Sequence, residues 1–125
     1  MKIAFLFMAL FATSFVSNAQ KNTNKKLLRH VVIFKFNDSS SAADVEKVAK
    51  TFATLHGKVP QVVAFEWGIN NSPEHYNQGF THCFILSFKS EKDLADYQLH
   101  QAHIDFQTVL KPHMEKVFVV DYWVK

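Results

Sequence analysis

Four side chains in this sequence have the makings of an acid–base site: His30, His82, Tyr97 and His103. An imidazole takes or gives a proton near neutral pH, and a phenol donates a hydrogen bond to a carbonyl or enolate oxygen. The pattern is densest from Gly79 to His103, GFTHCFILSFKSEKDLADYQLHQAH, which holds three of the seven histidines, the single cysteine and Tyr97. His82 alternates in phase with Phe84, Leu86 and Phe88, and His30 with Val32, Phe34 and Phe36. A histidine in phase with large apolar residues points at a core or a pocket. Packing alone explains the same pattern, with His30 and His82 as strand-end residues satisfied by backbone groups and His103 on a helix surface. Other chemistries leave no trace: there is no nucleophile elbow, no glycine-rich phosphate loop and no dinucleotide fingerprint. No His-x-x-x-His pair or carboxylate set accompanies the histidines, so neither a metal nor a cofactor is expected. Cys83, mid-strand on the face opposite His82, reads as a small buried apolar residue.

These residues must be held by four strands and two helices, the second of them broken. Leu28–Phe36 is a β-branched and aromatic strand. Ser41 and Asp44 form a capping box that opens an amphipathic helix from Ala42 to His56, with Val45, Val48, Phe52 and Leu55 on its inner side and Gly57 as its stop. A second strand runs from Gln61 to Trp67, and Gly68–Gln78 is a polar loop. Thr81–Phe88 is the third strand. Ser90 and Asp93 repeat the capping pattern before a second helix carrying Leu94 and Tyr97. Around His100 and Gln101 the apolar phase shifts to Ala102, Phe106, Val109 and Leu110, which predicts a break and a separate helical segment ended by Pro112. Glu115–Trp123 is the last strand.

The order β-α-β-β-α-β predicts an α+β, ferredoxin-like protomer with a four-stranded antiparallel sheet. Right-handed crossovers are expected to set the first and third strands side by side and parallel at its centre. His30 and His82 would then share one end of the sheet, about 5 Å apart, and Tyr97 and His103 would close over them from the helices, with Phe34 and Phe84 as apolar lining. Two helices cover only one sheet face, yet Val31 and Ile33 oppose Val32 and Phe34, and Val117 to Val120 is continuously apolar. The uncovered face predicts a homodimer packed sheet to sheet.

The first residues form no part of this fold. Residues 1–19 carry a basic Lys2, an apolar run from Ile3 to Phe11 and small residues at Ser17 and Ala19, the pattern of a signal peptide cleaved before Gln20. Residues 20–27 read as a disordered lead-in and 28–125 as the domain. The expected product is secreted or periplasmic, with no stable membrane insertion once the leader is removed; the apolar run is far short of the ~20 residues a span needs. Four lysines in these segments account for the formal +3 charge, and without them ten cations face eleven carboxylates. No electrostatic footprint for nucleic acid remains.

The motifs His30-Val-Val-Ile-Phe-Lys-Phe, Phe65-Glu-Trp-Gly68, Gly79-Phe-Thr-His82, Ser87-Phe88 with Ser90, Tyr97 with His100-Gln-Ala-His103, and Val119-Val-Asp-Tyr122 are specific when taken together. At these residues the sequence resembles the stress-responsive A/B barrel (Dabb) family of the dimeric α+β barrel superfamily, over Leu28 to Trp123. Gln101 departs from the family, which often has proline there. The resemblance implies a dimeric α+β barrel with a cavity between sheet and helices. It further implies His103 as a base and Tyr97 as its partner, as in plant polyketide cyclases of the family, with His30 and His82 as cavity histidines. Three functions remain open: a small enzyme acting on an apolar carbonyl or phenolic ligand, a non-catalytic envelope protein for stress protection or ligand binding, and a haem-binding or monooxygenase-like relative.

Overall fold

Alternating β-branched and aromatic residues make Leu28–Phe36 the strand β1, with Leu28, His30, Val32 and Phe34 buried on one face. This computed structural model describes residues 26–125; the expected signal peptide and residues 20–25 of the lead-in lie outside the described residues. Helix α1 (Ala42–Ala53) begins with the predicted capping box: the Ser41 hydroxyl accepts from the Asp44 N–H, and the Asp44 carboxylate accepts from the Ser41 N–H. The helix ends earlier than Gly57. Thr54 donates its N–H and its hydroxyl to the Thr51 carbonyl, which breaks the ladder, and a short α2 (Leu55–Lys58) runs through Gly57.

The second strand starts later than the sequence suggested. Val59 and Val62 are buried in a turn closed by Val62 N–H to Val59 O, so β2 begins at Ala64 and extends to Ile69. Strand β3 (His82–Phe88) follows the loop, and α3 (Glu91–Leu99) opens on Ser90, whose hydroxyl accepts from the Asp93 N–H. The expected break at His100 is present. His100 stands in an extended conformation (φ −66°, ψ 139°), and its Nδ1 accepts from the Ala102 N–H, so the histidine itself caps α4 (Gln101–Leu110). Gln101 therefore does not abolish the break that proline often marks in the family. Strand β4 (Met114–Trp123) completes the chain.

The sheet order is β2-β3-β1-β4, and all three pairings are antiparallel. The protein has the ferredoxin-like α+β fold. One expectation fails here: β1 and β3 are neighbours but antiparallel. In a split βαβ unit the crossover makes β1 and β2 parallel and leaves a one-strand gap. β3 returns from β2 into that gap and must run the other way. The register therefore pairs His30 with Leu86 and His82 with Phe34, so the two histidines lie at opposite ends of the sheet, not side by side.

The helices cover one face. Phe34, Phe52, Phe84, Phe88, Leu55, Leu86 and Tyr97 are almost completely buried between helices and sheet. The other face carries Val31 and Ile33 from β1, Ile85 and Cys83 from β3, and Phe118, Val120 and Tyr122 from β4. Among the described residues nothing covers it, and Phe118 is 54% exposed. Among the described residues no helix is long and apolar enough to cross a membrane.

Candidate active site

A cavity of about 270 Å³ lies between the sheet and the helices. His30, Val32 and Phe34 form its floor, with Val117 and Val119 beside them on β4. Tyr97 from α3 and His103 from α4 form one end wall, and Phe106 and Leu110 continue the α4 side. The break at His100 is what builds that wall. A continuous helix would carry α3 straight past the sheet. The turn instead restarts the helix with His103 folded back over Tyr97, their rings 4.6 Å apart.

Each imidazole at this end is held through Nδ1. His103 Nδ1 lies 3.0 Å from the Gln98 carbonyl oxygen, which can only accept. The proton therefore sits on Nδ1, and Nε2 keeps its lone pair. Burial disfavours the imidazolium, and nearby His30 adds to the effect, so His103 titrates below the ordinary histidine value despite the opposing pull of the Gln98 carbonyl. His103 is thus a neutral base with a free Nε2 at neutral pH. His30 Nδ1 donates to the Asp121 carboxylate at 2.6 Å, directly across the β1–β4 register. This orients the His30 ring edge-on to Tyr97, at 6.0 Å between centroids.

Tyr97 is fully buried, and its hydroxyl has no hydrogen-bond partner among the described residues. Burial drives its pKa well above the ordinary phenol value, so the hydroxyl stays protonated. A buried hydroxyl left unpaired costs about 1–3 kcal/mol. Tyr97 lines the cavity with its ring packed against those of His30 and His103.

Of the six residues the sequence marked, His30, Phe34, Tyr97 and His103 line this cavity, and His82 and Phe84 do not. The antiparallel register carries His82 to the far end of β3. There its ring stacks on Trp67 and meets Phe36 edge-on, and its Nδ1 shares a hydrogen bond with the Thr81 hydroxyl at 2.8 Å. Burial lowers its pKa as well. Phe84 packs against Phe52, Phe34 and Trp67 as a core residue. Asp121 was missed as a site residue. Its only sequence signal is a lone carboxylate that interrupts an apolar strand, and that signal gains meaning once the register sets it opposite His30. Cys83 is half-buried on the open sheet face, and burial, reinforced by the charge of Glu66, raises its thiol pKa. Among the described residues no three His, Cys, Asp or Glu side chains are grouped so as to hold a metal ion.

The stress-responsive A/B barrel domain family model matches residues 28–124. A stress-response A/B barrel domain-containing protein of Arabidopsis thaliana is 36% identical over 95 residues, covering 76% of this chain and 87% of the relative. Olivetolic acid cyclase of Cannabis sativa is 30% identical over 95 residues, covering 76% and 94%. Among solved structures, the hydroxynitrile lyase of Passiflora edulis superposes with a TM-score of 0.75 at 22% identity, over 81% of this chain and 95% of the lyase. A ferredoxin-like protein of unknown function from Bacteroides fragilis, described as dimeric, superposes at 0.65 with 22% identity over 78% and 96%. These two share the fold.

Proposed function

We propose, for a chain that belongs to the stress-responsive A/B barrel domain family, that its cavity binds a small apolar carbonyl or phenolic compound and moves a proton on it. The observation that carries this reading is the buried, unpartnered hydroxyl of Tyr97, whose ring packs against His30 and His103 in the cavity lining. In the proposed step His103 Nε2 removes a proton from the carbon next to a carbonyl. The electron pair of the broken C–H bond moves to the oxygen, giving an enolate, and the Tyr97 hydroxyl donates to that oxygen. The enolate carbon then takes the proton back from the His103 imidazolium, or attacks a second carbonyl carbon of the ligand, whose π pair moves to its oxygen and takes that proton. His30, held by Asp121, presents its Nε2 to the same space. Olivetolic acid cyclase, a relative at 30% identity, supports an enzymatic role.

Deuterium exchange tests the chemistry. With 4-hydroxyphenylacetone in D2O, the protein should accelerate loss of the α-C–H signals in proton NMR, and His103→Gln should remove the acceleration. Exchange at the uncatalysed rate with the wild type overturns the reading.

The same proposal includes a homodimer through the open sheet face. Supporting it are the exposed Phe118 and Val120 there, beside the half-buried Val31 and Ile33, and the dimeric description of relatives of the same fold. Sedimentation of the wild type should give a dimer, and Phe118→Asp should give monomers. Export is also proposed, on the leader pattern of residues 1–19. The mature protein recovered from outside the cytoplasm should then begin at Gln20 by intact mass, and a full-length mass there would refute cleavage.

A further inference from the structure

The cavity has two ends, and the acid–base groups occupy only one. Helix α4 forms one side of it from His103 to Leu110, and Lys111 follows at the far end. Eight residues of helix rise by about 12 Å, which separates the backbone of His103 from that of Lys111. Between the two ends the walls are apolar: Val32, Phe34, Phe106 and Leu110. Gln107 lines the cavity one helical turn from His103 and one from Lys111, so the three follow one face of α4.

Lys111 is the only Lys or Arg in the cavity lining, which contains no Asp or Glu. No ion pair engages it among the described residues. Glu115, the nearest carboxylate along the chain, is already taken by Lys35 at 2.9 Å. The backbone that presents Lys111 is braced: its N–H donates to Gln107 O, the His113 N–H donates to Leu110 O, and Asn37 bonds both Pro112 O and His113 O. An exposed lysine on a fixed turn at the cavity rim, one helical turn from an amide, in a lining without acids, suits an anionic group.

We infer that the ligand of this cavity is a carboxylate-bearing molecule, with its carbonyl or phenolic head at His103 and Tyr97 and its carboxylate at Lys111 and Gln107. This rests on the proposed function for the position of the head and adds the charge and the polarity of the molecule. The short apolar body spans the aromatic middle. Lys111 acts as a specificity residue and takes no part in the proton transfer.

Calorimetric titration with 3-(4-hydroxyphenyl)propanoate and with its amide tests the assignment. The carboxylate should bind about fivefold more tightly than the amide, the upper range for a partly solvated charge contact. Lys111→Gln should erase that preference and leave amide binding unchanged, Lys111→Arg should keep it, and thermal unfolding should be the same for all three proteins. Equal affinity of the wild type for both compounds overturns the role of Lys111 and leaves the acid–base reading standing. A preference that survives in Lys111→Gln also overturns it. Failure of both compounds to bind overturns the inference and the reading beneath it together.

Discussion

The two ends of the helix-covered sheet face begin from the same sequence pattern and finish as different environments. Each has a buried histidine in phase with phenylalanines on a central strand. At the His82 end the ring is stacked on Trp67, met by Phe36 and hydrogen-bonded to Thr81, and the cavity between sheet and helices does not reach it. At the His30 end the helix break sets Tyr97 and His103 over an open cavity and leaves one phenol unpaired. A buried histidine in an aromatic setting is therefore not itself a site. The site arises where the helical layer fails to fill the space above the sheet and polar groups are left with unspent hydrogen bonds.

The largest effect that sharpens this contrast concerns packing. Phe84 is fully buried among Phe34, Phe52 and Trp67, so Phe84→Ala should cost about 3–5 kcal/mol in chemical denaturation. A loss near zero would mean that the His82 end is loosely packed and the contrast false. Next comes chemistry. His103→Gln should reduce α-proton exchange by about 100-fold or more, while His82→Phe should leave the rate within about twofold, since His82 lies outside the cavity. Comparable losses in both variants would erase the difference between the ends.

A smaller effect has opposite signs in two measurements. Tyr97→Phe removes an unsatisfied buried hydroxyl and should stabilise the unliganded fold by about 1 kcal/mol, yet slow the exchange reaction. Loss of stability instead would reveal a hydrogen bond that the cavity geometry does not show.

The mildest effect is pH dependence. Burial holds His82 and His103 below the ordinary histidine value of 6.5. On acidification the unfolded chain takes up protons first, near 6.5, and the folded chain only at lower pH. Stability should therefore be constant above that value and fall below it. The decline should be shallower in His82→Phe, measured by urea denaturation at about pH 7.5 and 5.5. An identical slope would show that the His82 end contributes nothing to the titration. The acid limb of the exchange rate, set by His103, should likewise lie below 6.5.

Much of this was legible in local sequence. β1 occupies the predicted residues, Ser41 and Ser90 cap the helices they were expected to cap, and the phase shift at His100 marks a true break. These features depend on neighbours within a few residues, where propensity and side-chain reach suffice. The Gly57 stop and the start of β2 were misplaced because Thr54 and the Val59–Val62 turn acted first. Of the six residues marked in the sequence, Tyr97, His103, His30 and Phe34 line the candidate cavity, while His82 was brought to it through a parallel pairing that the fold does not make, and Phe84 is a core residue.

The sequence by itself determined the order of elements, the apolar and aromatic face of each strand, the helix break, and the presence of histidines and a phenol pointing inward. Only the tertiary structure decided which of them meet. Strand direction is a relation between segments far apart in the chain, and reversing β3 against β1 moves His82 from one end of the sheet to the other without changing its face. The same long-range register set Asp121 opposite His30. The void above the sheet depends on how far α3 and α4 diverge from the strands they cover, a property of packed layers that no single segment encodes.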